Sequence, residues 1–125
     1  MKKVISTQKA PKAIGPYSQA ILSGNTLYCS GQISINPETG ELILSSISEE
    51  AHQVMKNILE VLKAAEMDFS NVVKCSIFMK DMRQYSRIND VYASYFLEKP
   101  PAREVIEVSM LPKNVNVEIS VIAVK

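Results

Sequence analysis

Two charged residues stand where charge is costly to place. Arg103 follows Pro101-Ala102 in a run, residues 102–108, whose alternation reads as a strand and sets Arg103 on one face with Val105 and Glu107. Glu118 is a similar oddity in a second run, residues 115–124, where Val117, Ile119 and Val121 suit one face. Asn116, Glu118, Ser120, Ile122 and Val124 fall on the other. A guanidinium or carboxylate inside apolar strands needs a partner, because burying either charge unpaired is unfavourable. Taken alone, the two read first as a structural ion pair between neighbouring strands and only second as a catalytic pair.

Other chemistries find little support. The chain has one histidine, His52, placed beside the apolar stripe of a helix, and two cysteines, Cys29 and Cys75, without CxxC spacing. No HExxH and no metal-ligand cluster is visible, so no metal is expected. The four glycines are isolated, with no dinucleotide or phosphate loop, so no cofactor is expected either. Five tyrosines and three phenylalanines lack the spacing of an RNA-stacking platform, and a net charge of +1 leaves no basic stripe for nucleic acid. No apolar run is long enough to span a bilayer, and no signal-peptide core precedes the first strand. With two buried-type thiols, these features fit a cytoplasmic protein. Hydrogen-bond and carboxylate chemistry remains.

The elements that must carry it can be placed. Residues 1–125 suffice for one domain. Residues 3–7 alternate as a first strand, and residues 18–23 and 26–33 form a hairpin across Gly24-Asn25. Gly31 inside the second run marks a bulge or close backbone approach. Ser46 and Glu49 fit a capping box, after which Ala51, Val54, Met55, Ile58, Leu59, Leu62 and Ala65 make a helical stripe. A strand at Val72–Met79, a helix over residues 84–97 ended by Pro100-Pro101, and the two last strands complete the order β-β-β-α-β-α-β-β. Two helices cannot cover both faces of so wide a sheet. The expected fold is therefore an α/β (α+β) two-layer domain with both helices on one face, its other face meeting a second subunit.

Several blocks together resemble a known family. Ala13-Ile14-Gly15-Pro16-Tyr17-Ser18-Gln19-Ala20, Ser30-Gly31-Gln32, Asn71-Val72-Val73-Lys74, Pro101-Ala102-Arg103, Leu111-Pro112-Lys113 and Val117-Glu118-Ile119 are similar, in order and spacing, to the RidA/YjgF family of enamine/imine deaminases. The resemblance implies a chorismate-mutase-like fold and a homotrimer with a site in each cleft between subunits. It implies hydrolysis of 2-imino acids, such as 2-iminobutanoate and 2-iminopropanoate, to 2-keto acids and ammonia. Arg103 maps onto the carboxylate-binding arginine and Glu118 onto the water-orienting acid; Tyr17, Ser30, Gly31 and Asn89 map onto pocket positions. A guanidinium fork suits that carboxylate, and Gly31 would let backbone amides approach the substrate. Tyr17, Ser30 and Asn89 also have structural readings, as a loop anchor, a strand-edge hydroxyl and a solvent-facing helix residue.

Two positions depart from the pattern. Many members place a small residue and then cysteine after the arginine, where this chain has Glu104 and Val105. The expected pocket therefore has Val105 in place of a thiol, and a bulge would let Glu104 compete for the guanidinium. Those features favour an alternative, a trimer that binds small carboxylates without turning them over. A ribonuclease or translation-inhibitor role also attaches to the family; the near-neutral charge and single histidine weigh against it.

Overall fold

Ser46, in extended conformation, accepts a hydrogen bond from the Glu49 N–H at 3.1 Å, and helix α1 follows over Ile47–Ala64. Only the serine arm of the expected capping box forms, and Glu49 stays in solvent. In this computed structural model, which describes residues 1–125, α1 lies on a six-stranded sheet. The strands are β1 (Lys2–Ile5), β2 (Ala20–Ser23), β3 (Thr26–Cys29), β4 (Val72–Met79), β5 (Ala102–Glu107) and β6 (Val117–Val124). Their order across the sheet is β1-β2-β3-β6-β4-β5. Neighbours are antiparallel except β4 and β5, which are parallel because helix α2 (Tyr85–Ala93) carries the chain back between them.

Most side chains of the core come from one face of this sheet and from the two helices, with Ala10 and Met67 added by connecting segments. Leu27 and Cys29 of β3, Cys75, Ile77 and Met79 of β4, and Val117, Ile119, Val121 and Ala123 of β6 are buried. They join Val54, Ile58 and Leu62 of α1 and Ile88 and Tyr92 of α2 in one cluster. Both helices therefore share a face, as the two-to-six ratio of helices to strands requires. The opposite face is uncovered. Val4, Ile21, Tyr28 and Ile122 line up there across four paired strands, and Tyr28 keeps about half its surface in solvent at 51%.

The irregular segments are shorter or longer than their patterns suggest, for local reasons. β3 stops at Cys29 rather than running through Ile33, because the Ser30 hydroxyl turns to the Ser18 carbonyl at 2.6 Å. Pairing resumes only as a single bridge between Gln32 and Ile119. Helix α2 ends at Ala93 instead of Leu97; the Ser94 hydroxyl bonds the Val91 carbonyl at 2.6 Å, and Tyr95 and Phe96 leave the axis to pack against Phe69, Tyr95 tilted and Phe96 edge-on. Cys29 and Cys75 are buried and unpaired, and burial pushes the Cys29 thiol up to about 12. No helix is long and apolar enough to cross a membrane.

One polar side chain in the interior ties the layers together. Glu50, in the first turn of α1, is wholly buried and accepts hydrogen bonds from the Asn116 N–H at 2.7 Å, the Asn116 side-chain amide at 2.8 Å and the Val117 N–H at 3.3 Å. Its carboxylate sits near the positive end of the helix and saturates the backbone donors that open β6. Glu50→Ala would leave the buried Val117 N–H and the two Asn116 donors beside it without their acceptor. The expected loss is about 3 kcal/mol of stability. In a chain of this length that is a fall of roughly 10 °C in Tm by thermal unfolding.

Candidate active site

The half of the site around Glu118 is built by β6 and by the loop that leads into β2. Gln19 is buried, and its side-chain amide bonds Thr7, Ala10 and Pro11 at 2.7 to 3.3 Å, which pins the whole segment between β1 and β2 against the sheet. That segment walls a cavity of about 450 Å³ whose lining includes Tyr17, Ser30, Gly31, Gln32, Lys113 and Glu118. Glu118 makes no hydrogen bond or ion pair inside the chain, and partial burial raises its pKa above the usual carboxylate range. Its side chain lies flat over Gly31. A Cβ at position 31 would come within 2.7 Å of the Glu118 carboxyl carbon, so only glycine leaves the acid in place. The glycine makes room for the acid first; an approach of the position-31 backbone to a ligand would come past that carboxylate.

Tyr17 is exposed on the cavity rim, with its N–H bonded to the Gly15 carbonyl at 2.8 Å and its hydroxyl unengaged. Ser30 differs. Its hydroxyl already donates to Ser18, so within the chain it fastens the loop as the structural reading expects.

The other half belongs to β5 and α2. The Arg103 guanidinium donates from Nη1 to Asn89 Oδ1 at 2.7 Å and from Nη2 to the Tyr85 hydroxyl at 2.6 Å. It also rests over the Tyr92 ring, 4.9 Å from its centroid. Beside it opens a cleft of about 370 Å³ lined by Asn89, Tyr92, Phe96, Pro100, Pro101 and Arg103. Two neutral acceptors and an aromatic face hold the group without cancelling its charge. Asn89 is thus turned to the arginine, not to solvent. Val105 shares the Arg103 face and packs on the core. Glu104 points to the opposite face and bonds Lys74 at 2.9 Å and the Ser76 hydroxyl. β5 carries no bulge, so Glu104 does not compete for the guanidinium.

Arg103 and Glu118 are not the ion pair that their spacing suggests. β4 separates their strands: Arg103 is level with Cys75 and then Val121, all on the helix-covered face. Glu118 is level with Phe78 and then Ile106, on the uncovered face. The residues quoted for one pocket therefore form two half-sites on opposite faces of one sheet. Tyr17, Ser30, Gly31 and Glu118 make one half, and Asn89, Arg103 and Val105 the other. Within a single chain these halves cannot touch the same small molecule. No group of three histidine, cysteine, aspartate or glutamate side chains comes together to hold a metal ion.

Tyr85, Tyr92, Gln19 and Glu50 serve these half-sites without having been singled out for it. Tyr85 and Tyr92 lie one turn before and after Asn89 on α2, a spacing that marks a shared face. That signal was readable once Asn89 was in view. Gln19 and Glu50 act on backbone groups far away in the sequence, and nothing local announces them.

This arrangement of a mixed sheet with two helices on one side is shared with known proteins. A family model described as Endoribonuclease L-PSP matches residues 7–125. The chain is 50% identical over 125 residues to a RutC family protein of Pyrococcus horikoshii, covering 100% of this chain and 99% of that one. It is also 50% identical over 125 residues to the 2-iminobutanoate/2-iminopropanoate deaminase of Bos taurus, covering 100% and 91%. The crystal structure of the YjgF gene product from E. coli superposes with a TM-score of 0.95 at 39% identity over 98% of each chain. E. coli TdcF, solved with bound serine, gives 0.95 at 36% identity, again over 98% of each chain. The chain belongs to the RidA/YjgF family.

Burial holds Glu118 above the usual carboxylate range, so the folded chain takes up that proton at a higher pH than the unfolded chain does. Stability linked to this group therefore rises as pH falls through the folded-state pKa, and ionised Glu118 is a cost at neutral pH. Glu118→Gln is expected to match or exceed the parent Tm at pH 7, with the difference closing towards pH 4. Thermal scans at both pH values test this; a Gln variant clearly less stable at pH 7 would contradict it.

Proposed function

We propose that this chain is a 2-imino acid deaminase, hydrolysing substrates such as 2-iminobutanoate and 2-iminopropanoate to 2-keto acids and ammonia. The observation that carries the reading is the division of labour between the half-sites. One presents a charged fork held by neutral partners; the other presents an unpaired carboxylate in a cavity of metabolite size. The deaminase name of relatives at about half identity supports the reaction class.

The same division requires a second copy. Each half faces outward from its own side of the sheet, and the apolar row of Val4, Ile21, Tyr28 and Ile122 leaves a surface suited to burial against another protomer. A homotrimer with sites at its three seams brings Arg103 of one protomer to Glu118 of the next. The substrate carboxylate then meets the free N–H groups of Arg103, and its C=N carbon faces a water held by Glu118. As the water oxygen bonds to that carbon, Glu118 takes one water proton and passes it to the imine nitrogen, and the C=N bond becomes single. The resulting carbinolamine loses its C–N bond as Glu118 takes its hydroxyl proton and passes it to the leaving ammonia, and the C=O of the keto acid forms. A carboxyl whose pKa lies nearer neutrality is better placed for both transfers. Imines hydrolyse readily in water, so general acid–base help of about 10²–10⁴-fold together with positioning suffices without a metal or covalent intermediate.

A second reading, binding of a small carboxylate without turnover, is favoured by Val105 at the position of an expected thiol and by serine bound in TdcF. A threonine dehydratase assay that follows 2-ketobutanoate release separates the two. The proposal expects faster release with this protein, an acidic limb above the usual carboxylate range, and a loss of at least about 100-fold in Arg103→Ala. Arg103→Ala and Glu118→Gln subunits co-assembled in equal amounts should recover about a quarter of parent activity, since that share of seams draws both intact residues. No recovery from well-mixed oligomers, or full turnover in Arg103→Ala, would overturn the shared site. Stabilisation by a keto acid with no deamination would select the binding reading.

A further inference from the structure

The Tyr85 hydroxyl has spare capacity that the Arg103 clamp leaves unused. Its oxygen accepts from Arg103 Nη2 at 2.6 Å, and its own proton has no acceptor anywhere in the chain. The ring is only partly buried, at the first position of α2. The guanidinium carbon lies 5.7 Å from the Tyr85 ring centroid against 4.9 Å from that of Tyr92. Tyr92 therefore supplies the face on which the cation rests, and Tyr85 meets it through its oxygen. A phenol that accepts from a cation becomes a stronger donor through its own O–H, because the two bonds polarise one another. Since the lone pair points at Nη2, the O–H must point away from it. Two of the five N–H groups of Arg103 are already spent on Asn89 and Tyr85. A carboxylate offers about four acceptor positions, more than one edge of the remaining guanidinium can fill.

We infer that Tyr85 is a specificity-determining residue whose hydroxyl, held by Arg103, donates a further hydrogen bond to the substrate carboxylate. The inference rests on the proposal that Arg103 binds that carboxylate. It adds a donor which discriminates a carboxylate from a carboxamide, since an amide NH₂ turned towards it offers no acceptor.

Tyr85→Phe removes both functions of the oxygen while keeping the ring. The expected result is a roughly tenfold rise in KM and in the calorimetric Kd for 2-ketobutanoate. Replacing Tyr85 with 3-fluorotyrosine separates the two functions: fluorine strengthens the donor and weakens the acceptor. Tighter keto-acid binding by the fluorinated protein is expected. Weaker binding would mean that Tyr85 only anchors Arg103, and would overturn the inference. So would an unchanged Kd in both proteins while Arg103→Ala abolishes binding, a result that leaves the deaminase proposal intact. Full binding and turnover in Arg103→Ala would instead remove the proposal on which the inference stands. Should Tyr85→Phe fold poorly, the fluorinated protein alone decides the matter.

Discussion

A pleated strand sends successive side chains to opposite faces, and in this sheet β4 stands between the two strands that bear the charged residues. Register then leaves no freedom. Counting across the ladder from Arg103 reaches Val121 under the helices, and counting from Glu118 reaches Ile106 on the bare face. A slip of one residue in β6 would bring the acid to the arginine's side, but it would also drive Val117, Ile119 and Val121 out of the core. The hydrophobic pattern of β6 thus enforces the separation of the two groups. A single chain cannot unite them; the proposed assembly is what would bring both to one substrate.

Each half-site is fixed by contacts from neighbouring residues, several of which also line its cavity. Glu50 holds the backbone immediately before Glu118, Gln19 holds the wall opposite, and Gly31 supplies the floor. On the other side Asn89, Tyr85 and Tyr92 surround the guanidinium from a single helix. These supports are neutral where they meet Arg103 and absent where they would meet the Glu118 carboxylate. Both groups therefore keep their charge available, at some cost in stability for Glu118.

Most of the architecture is legible from periodicity. The stripe of α1, the alternation of β4 and β6 and the turn at Gly24-Asn25 each point to the observed element, and the number of helices against strands forces both onto one face. Strand ends are less readable. Whether β3 continues past Cys29 depends on a hydroxyl reaching Ser18 and on a carboxylate arriving from β6, and neither is local to that run. The candidate site residues are named as a set by the family resemblance, which does not place them on the sheet. Arg103 and Glu118 both look like strand residues in need of a partner, and adjacency in sequence order suggests that they satisfy each other. Only strand order, with β4 inserted between β5 and β6, shows otherwise.

The packing of Glu118 over Gly31 couples two distant positions sterically. As long as residue 118 is a long acid folded back across the strand, residue 31 has no room for a methyl group. Shorten or remove that acid and the restriction lifts, so substitution at 31 becomes harmless. Among chains of this fold, a side chain at the glycine position is thus a physical marker that the acid has moved or gone, legible even where the glutamate itself cannot be aligned. Divergence in chemistry would then be legible beneath the acid as well as at the acid itself.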